Sequence, residues 1–232
     1  MILIMFALQQ AQVSVFLRAH ELRPGWLYPA LFNARRGILN TLLPARSGTF
    51  LLMRGLTERY GVQWQHFLLF FVLASLMSVY VSAIALVWVI WPWAYSVGML
   101  TASAALCAIL SRRSRFRYAA TLPSLLLLAI GLYLANTILL FCVLRGIGYG
   151  VCLTEAAYLA VVLNILAQIS ITPGNLGVRE IVMGAIAPHF GLPIAVGILA
   201  SSLMVVLRLG LYGVLWGVLE WMNRSRSTGA FN

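Results

Sequence analysis

The chain has 232 residues, 62% of them hydrophobic and only 9% charged, with a mean hydropathy of +0.95 and a net charge of +11. Soluble domains carry about a quarter charged residues, so this composition excludes an ordinary water-soluble enzyme and indicates an integral membrane protein. Every basic residue is Arg and every acid is Glu; the Arg gather in short loops between apolar runs, where they set membrane orientation and attract anionic headgroups rather than nucleic acid.

Five runs are long enough for a hydrocarbon core about 30 Å thick, which takes about 20 helical residues. They are 1–17, 66–91, 93–110, 119–144 and 192–222. The first is marginal and carries Gln9, Gln10 and Gln12, a polar side expected to face protein rather than lipid. It lacks a basic leader and a cleavage pattern, so it reads as a membrane helix and not as a signal peptide. Next comes 28–43, which carries Asn33, Arg35, Arg36 and Asn40 and stops at Pro44. Its Arg35-Arg36 pair reads as an orientation signal. Trp88, Trp91, Trp93 and Tyr95 then cluster where an interfacial aromatic belt is expected. The segment 158–172 carries Asn164 and Gln168 and stops at Pro173.

The segments 28–43 and 158–172 are each about 15 residues, or ~22 Å of helix, too short to span. A glycine and a second half-length stretch follow each one. This predicts two re-entrant broken-helix hairpins, tolerated at membrane depth only where protein or a cavity surrounds them.

The loop with Arg112, Arg113, Arg115 and Arg117 is the densest cationic cluster and is assigned to the cytoplasm. Tracing outward places the C-terminus in the cytoplasm. All Arg except Arg145, Arg179 and Arg208 then fall on the cytoplasmic side or in its hairpin. The two broken segments also resemble each other. Pro44 is followed by Gly48, Gly55 and Tyr60-Gly61; Pro173 is followed by Gly177, Gly184 and Phe190-Gly191. The expected fold is therefore an all-α polytopic domain over residues 1–232. Repeat A covers about 1–91, a connecting helix 93–110, and an inverted repeat B about 119–222. That is the architecture of secondary transporters, whose sites lie near the midplane.

The stretches LLPARSG (42–48), RYGV (59–62) and TPGNLGVRE (172–180) resemble the two motif regions of the flippase-like membrane domain of bacterial lysylphosphatidylglycerol synthases, a domain that also occurs alone. The resemblance covers most of the chain. It implies movement of a polar lipid between leaflets of the cytoplasmic membrane. It does not imply aminoacyl transfer, whose soluble domain has no counterpart in these residues. Thr49 stands where the family often has an acid, and Ser75 and Ser78 stand near its helix charges.

Charged residues inside a membrane cost about 2.5–3.5 kcal/mol each on insertion scales and are functional candidates by default. The expected headgroup ligands are Arg46, Arg179, Glu180 and Arg208, with Asn40 and Asn164 on the half-helices. Arg179 and Glu180 fall in the first turn of the helix after Gly177, where free N–H groups suit an anion. Arg208 has no local acid, so Glu180 or Glu155 is its expected partner. Pro44, Gly48, Pro173, Gly174 and Gly177 are the expected hinges. Interhelical glue is the competing role for the amides, and structural pairing for Arg179 and Glu180.

Cys107, Cys142 and Cys152 have neither metal nor disulfide spacing. His20, His66 and His189 lie far apart in the sequence and lack a metalloprotease pattern. No metal or cofactor is expected. The motif Gly148-Tyr149-Gly150 lacks the flanks of a potassium filter. No nucleophile–base set stands out, so a lipid-acting enzyme is the weakest reading. The leading expectation is binding and flipping of an anionic or aminoacylated phospholipid, or a polyisoprenoid-linked lipid. The alternative is a non-transporting scaffold for a lipid- or glycan-modifying enzyme, favoured by Ser75 and Ser78. A second copy of the chain, or such an enzyme, is the protein partner left open.

Overall fold

A computed structural model describes residues 1–22, 25–43, 47–90, 97–103, 105, 118–169 and 172–228. Helices are the regular elements among them: α1 (Ile2–Ala19), α2 (Leu27–Leu42), α3 (Ser47–Tyr60), α4 (Trp64–Ile90), α5 (Leu122–Gly146), α6 (Leu153–Gln168), α7 (Val178–Ile186) and α8 (Ile194–Thr228). Short 3₁₀ turns occupy Ala119–Thr121, Pro173–Asn175 and Ala187–Phe190. Four helices are long and apolar enough to cross a membrane: Ile2–Ala19, Trp64–Trp88, Leu122–Gly146 and Ile194–Ser225. The chain is thus an all-helical, multi-pass membrane protein. Of the fifth expected run, 93–110, residues 97–103 are helical and most of the rest lies outside the described residues. So do Pro44, Arg46, Cys107 and the Arg cluster of 112–117.

Local chemistry explains where the helices begin. α5 starts with a proline in its first turn, where the missing N–H breaks no bond. α6 begins at Leu153 rather than near 158 because Cys152 and Glu155 form a capping box. The Cys152 N–H donates to Glu155 Oε2 at 2.7 Å, and the Glu155 N–H donates to Cys152 Sγ at 3.5 Å. The usual sequence signal has Ser or Thr at that position, so a Cys hides it. α6 also ends at Gln168, short of Pro173.

The packing is reciprocal. Both halves run long, short, short, long. α2 lies on α3 and on α8, the last helix of the other half; α6 lies on α4, the last helix of the first half; α1 packs on α5. Gly61 and Gly191 both take positive φ, 66° and 67°, and close the second short element of each half. One apolar cluster joins α5, α6, α7 and α8 through Leu140, Leu144, Leu159, Met183 and Met204. A second joins α1, α3 and α4 through Phe16, Leu52, Leu56, Phe67 and Phe70. Outward, Leu127, Val206, Val214, Ile181 and Trp221 are exposed, as suits a lipid-facing surface rather than a watery one.

Two polar contacts fasten the ends. Arg35 donates to Glu220 at 2.7 Å and its guanidinium lies over the Phe32 and Trp216 rings, tying α2 to α8. His20 and His66, distant in the sequence, come together with ring centroids 5.6 Å apart. Tyr118 joins them: its hydroxyl is 3.3 Å from His20 Nε2 and donates to the His66 carbonyl at 3.2 Å.

Candidate functional site: a cationic cavity among the helices

A cavity of about 310 Å³ lies among the helices, and each of α1 to α8 contributes side chains to it. Asn136 and Arg208, both in its wall, stand about 21 Å along α5 and α8 at 1.5 Å per residue. These positions are far from the ends of both helices. The cavity is lined by Arg36, Arg179 and Arg208, by carboxamides from Gln9 to Gln168, and by the hydroxyls of Ser75, Ser78 and Tyr212.

Arg208 donates from a terminal nitrogen to Asn136 Oδ1, while its Nε is buried with no partner. The expected partner was Glu180 or Glu155; a neutral amide on α5 takes that role instead. Arg179 is only 6% exposed and its Nε also has no partner. It shares the cavity wall with Arg208, which repels it, while the Glu180 carboxylate on its own helix attracts it. Arg36 donates to Gln9 Oε1 at 3.3 Å, and the Tyr212 hydroxyl donates to the same oxygen at 2.8 Å. Arg36 was expected to be an orientation signal; it faces the cavity because Arg35, one residue away, points along a different helix face to Glu220.

The amides have structural duties as well. Asn40 donates to Thr49 Oγ1 at 3.2 Å and accepts the Thr49 N–H at 3.1 Å, which satisfies a donor in the open first turn of α3. Asn164 donates to Ser82 Oγ at 2.7 Å and Ser78 Oγ at 3.2 Å, joining α6 to α4. Asn175 donates to the Leu166 carbonyl at 2.5 Å and holds the turn of Pro173 and Gly174 against α6.

Glu180 is the clearest correction. It does not line the cavity and makes no ion pair with Arg179 among the described residues. Its Oε2 accepts the Gly177 N–H at 2.7 Å, capping α7 from its third position. Adjacent helical residues do not face each other, so Arg179 turns inward and Glu180 turns back along the helix. Gly177 takes φ +83°, a left-handed conformation that favours glycine. Gly48 lies within the first turn of α3, just beyond Pro44, which is outside the described residues, and a Cβ there would run into the Arg36 carbonyl oxygen. Its role is close approach of α3 to α2.

Of the expected ligands, Arg179, Arg208, Asn40 and Asn164 therefore meet on one cavity, and Glu180 stands apart. Arg36, Gln9, Gln12, Asn136, Asn175 and Tyr212 were missed. Asn136 had a readable signal, a lone amide in an apolar span. None of the five glutamates lines the cavity. Glu58 pairs with Arg54 at 2.6 Å, Glu220 with Arg35, and Glu155 and Glu180 cap helices. Among the described residues no group of three His, Cys or Glu side chains gathers as a metal would require. No protein-family model matches the chain, nor does any curated protein or solved structure. Among the described residues the lining offers cations, amides and hydroxyls, but no carboxylate, imidazole or thiol. That set suits the holding of an anion more than the transfer of a proton.

Proposed function

We propose that the protein binds a lipid with an anionic headgroup and moves it between the leaflets of the cytoplasmic membrane. The single observation that carries this reading is the cluster of Arg36, Arg179 and Arg208 around one cavity with no carboxylate in its wall among the described residues. Cations at membrane depth are costly, and an arriving phosphate would neutralise them. A cavity of about 310 Å³ is at the small end of ligand pockets, roughly 300–1,000 Å³. It has room for a headgroup, and the acyl chains stay in the bilayer. The polar walls replace headgroup water and lower the desolvation barrier that confines a lipid to one leaflet.

In this reading α2–α3 and α6–α7 are re-entrant hairpins entering from opposite faces, and the two halves are inverted repeats. The same order of long and short helices, the reciprocal packing and the paired Gly61 and Gly191 support it. So does the resemblance of 42–48 and 172–180 to the flippase-like domain. The C-terminus lies in the cytoplasm, and the protein acts as a transporter rather than an enzyme. A scaffold without transport is the second reading. Ser78 favours it, because it serves as neutral glue to Asn164 near where the family carries helix charges.

Proteoliposomes with an acyl-chain fluorophore on phosphatidic acid, phosphatidylglycerol or phosphatidylcholine test the proposal through dithionite quenching. The native chain should expose inner-leaflet anionic lipid faster than protein-free vesicles do, and Arg179→Gln and Arg208→Met should abolish the gain. Rates equal to empty vesicles would remove transport; native rates in both variants would remove the site.

A further inference from the structure

The balance of charge in the cavity bears on which headgroup it takes. Among the described residues three guanidiniums line it and no carboxylate does. Arg208 gives one donor to Asn136 and Arg36 one to Gln9. Arg179 makes no hydrogen bond among the described residues, and its Nε is enclosed. Each guanidinium has five N–H donors in a planar fork, so most donors of Arg179 and Arg208 remain for an arriving group.

A phosphodiester brings a single negative charge and leaves most of this positive charge uncompensated. A phosphomonoester brings about 1.5 to 2 negative charges and three strong acceptor oxygens, enough for two-pronged pairing with more than one Arg. An ammonium-bearing headgroup meets the opposite situation. Its natural partners are carboxylates, yet none of the five glutamates lines the cavity: Glu155 and Glu180 each give one oxygen to a helix cap and Glu220 pairs with Arg35. It would also enter beside three like charges.

We infer that the site selects lipids ending in a phosphomonoester-type group and rejects aminoacylated headgroups. The inference deepens the anion-site reading and rests on it; it does not depend on whether the protein transports. Its core is that Arg179 and Arg208 share a cavity wall in which, among the described residues, no carboxylate stands, a feature invisible while Glu180 is counted among the ligands.

The test is calorimetric titration of the purified full chain in detergent with four probes. These are dihexanoyl phosphatidic acid, dihexanoyl phosphatidylglycerol, its lysyl ester, and glycerol 3-phosphate, which offers the monoester without acyl chains. Phosphatidic acid should bind at least tenfold tighter than phosphatidylglycerol, and the lysyl ester more weakly than either. Glycerol 3-phosphate binding as tightly as phosphatidic acid would assign the site to free phosphate esters and overturn its lipid part. Arg179→Gln should erase the tenfold preference. Arg179→Lys keeps the charge without the fork and should retain part of it, which serves if the Gln variant does not fold. Equal binding of the first three probes, tighter binding of the lysyl ester, or binding of none overturns the inference. Selective binding with no transport in vesicles would end the flippase reading and leave the selectivity standing.

Discussion

Replacing Arg208 by Met separates a functional cation from a structural one. If Arg208 is there for the ligand, the fold tolerates it rather than needs it. A charge at the centre of a membrane helix costs about 2.5–3.5 kcal/mol. Its hydrogen bond to Asn136 Oδ1 returns about 1.5–3 kcal/mol, the usual worth of a bond to a charged group. The net cost of Arg208 is then about 0–2 kcal/mol. In Arg208→Met that cost disappears, but Asn136 Oδ1 is left without its partner, a penalty of about 1–3 kcal/mol. The single variant should lie between about 3 kcal/mol less stable and about 1 kcal/mol more stable than the native protein, centred on a loss of about 1 kcal/mol. The double variant Arg208→Met/Asn136→Leu removes both partners and should be more stable by about 1–2 kcal/mol, as when apolar groups replace a buried polar pair. Equilibrium unfolding in mixed micelles, followed by tryptophan fluorescence, measures both, and the same samples should bind no phosphatidic acid. Loss of more than about 2 kcal/mol in the double variant would show that Arg208 holds the fold together, and the reasoning from an uncompensated cation would fail.

Further outcomes follow from individual contacts. Gly48→Ala should destabilise more than Gly55→Ala, because its Cβ meets the fixed Arg36 carbonyl whereas that of Gly55 meets a Phe32 ring that can turn; overpacking of this kind costs about 1–3 kcal/mol, and thermal unfolding in detergent ranks the two. Glu180→Ala should cost about 1 kcal/mol through loss of the α7 cap and leave lipid affinity within twofold; a loss of tenfold or more would restore Glu180 to the site. Cysteines placed as Ser47→Cys and Gly174→Cys in a background without native Cys should label with impermeant maleimide from opposite faces of oriented vesicles, and labelling of both from one face would end the inverted-hairpin reading.

Much of the architecture was readable before any coordinates. The long apolar runs near 66–91, 119–144 and 192–222 became α4, α5 and α8, because about 20 apolar residues leave a helix little alternative in lipid. The short segments interrupted at Pro44 and Pro173 read as separate helices because proline breaks the ladder. Arg179 and Arg208 were readable as candidates since nothing else explains a charge in such company. The roles of neighbours were not readable. Arg35 and Arg36 are adjacent and identical, yet one holds Glu220 and the other faces the cavity.

Composition and hydropathy by themselves determined that this chain lives in a membrane, that it is helical, and roughly where its long helices run, because transfer from water and backbone hydrogen bonding act on each segment separately. Only the tertiary structure decided that Asn136 serves Arg208, that Glu180 serves its own helix, and that three cations from α2, α7 and α8 meet in one cavity. Those pairings join residues far apart in the chain or turn on the face a side chain takes, and neither is written into a local pattern.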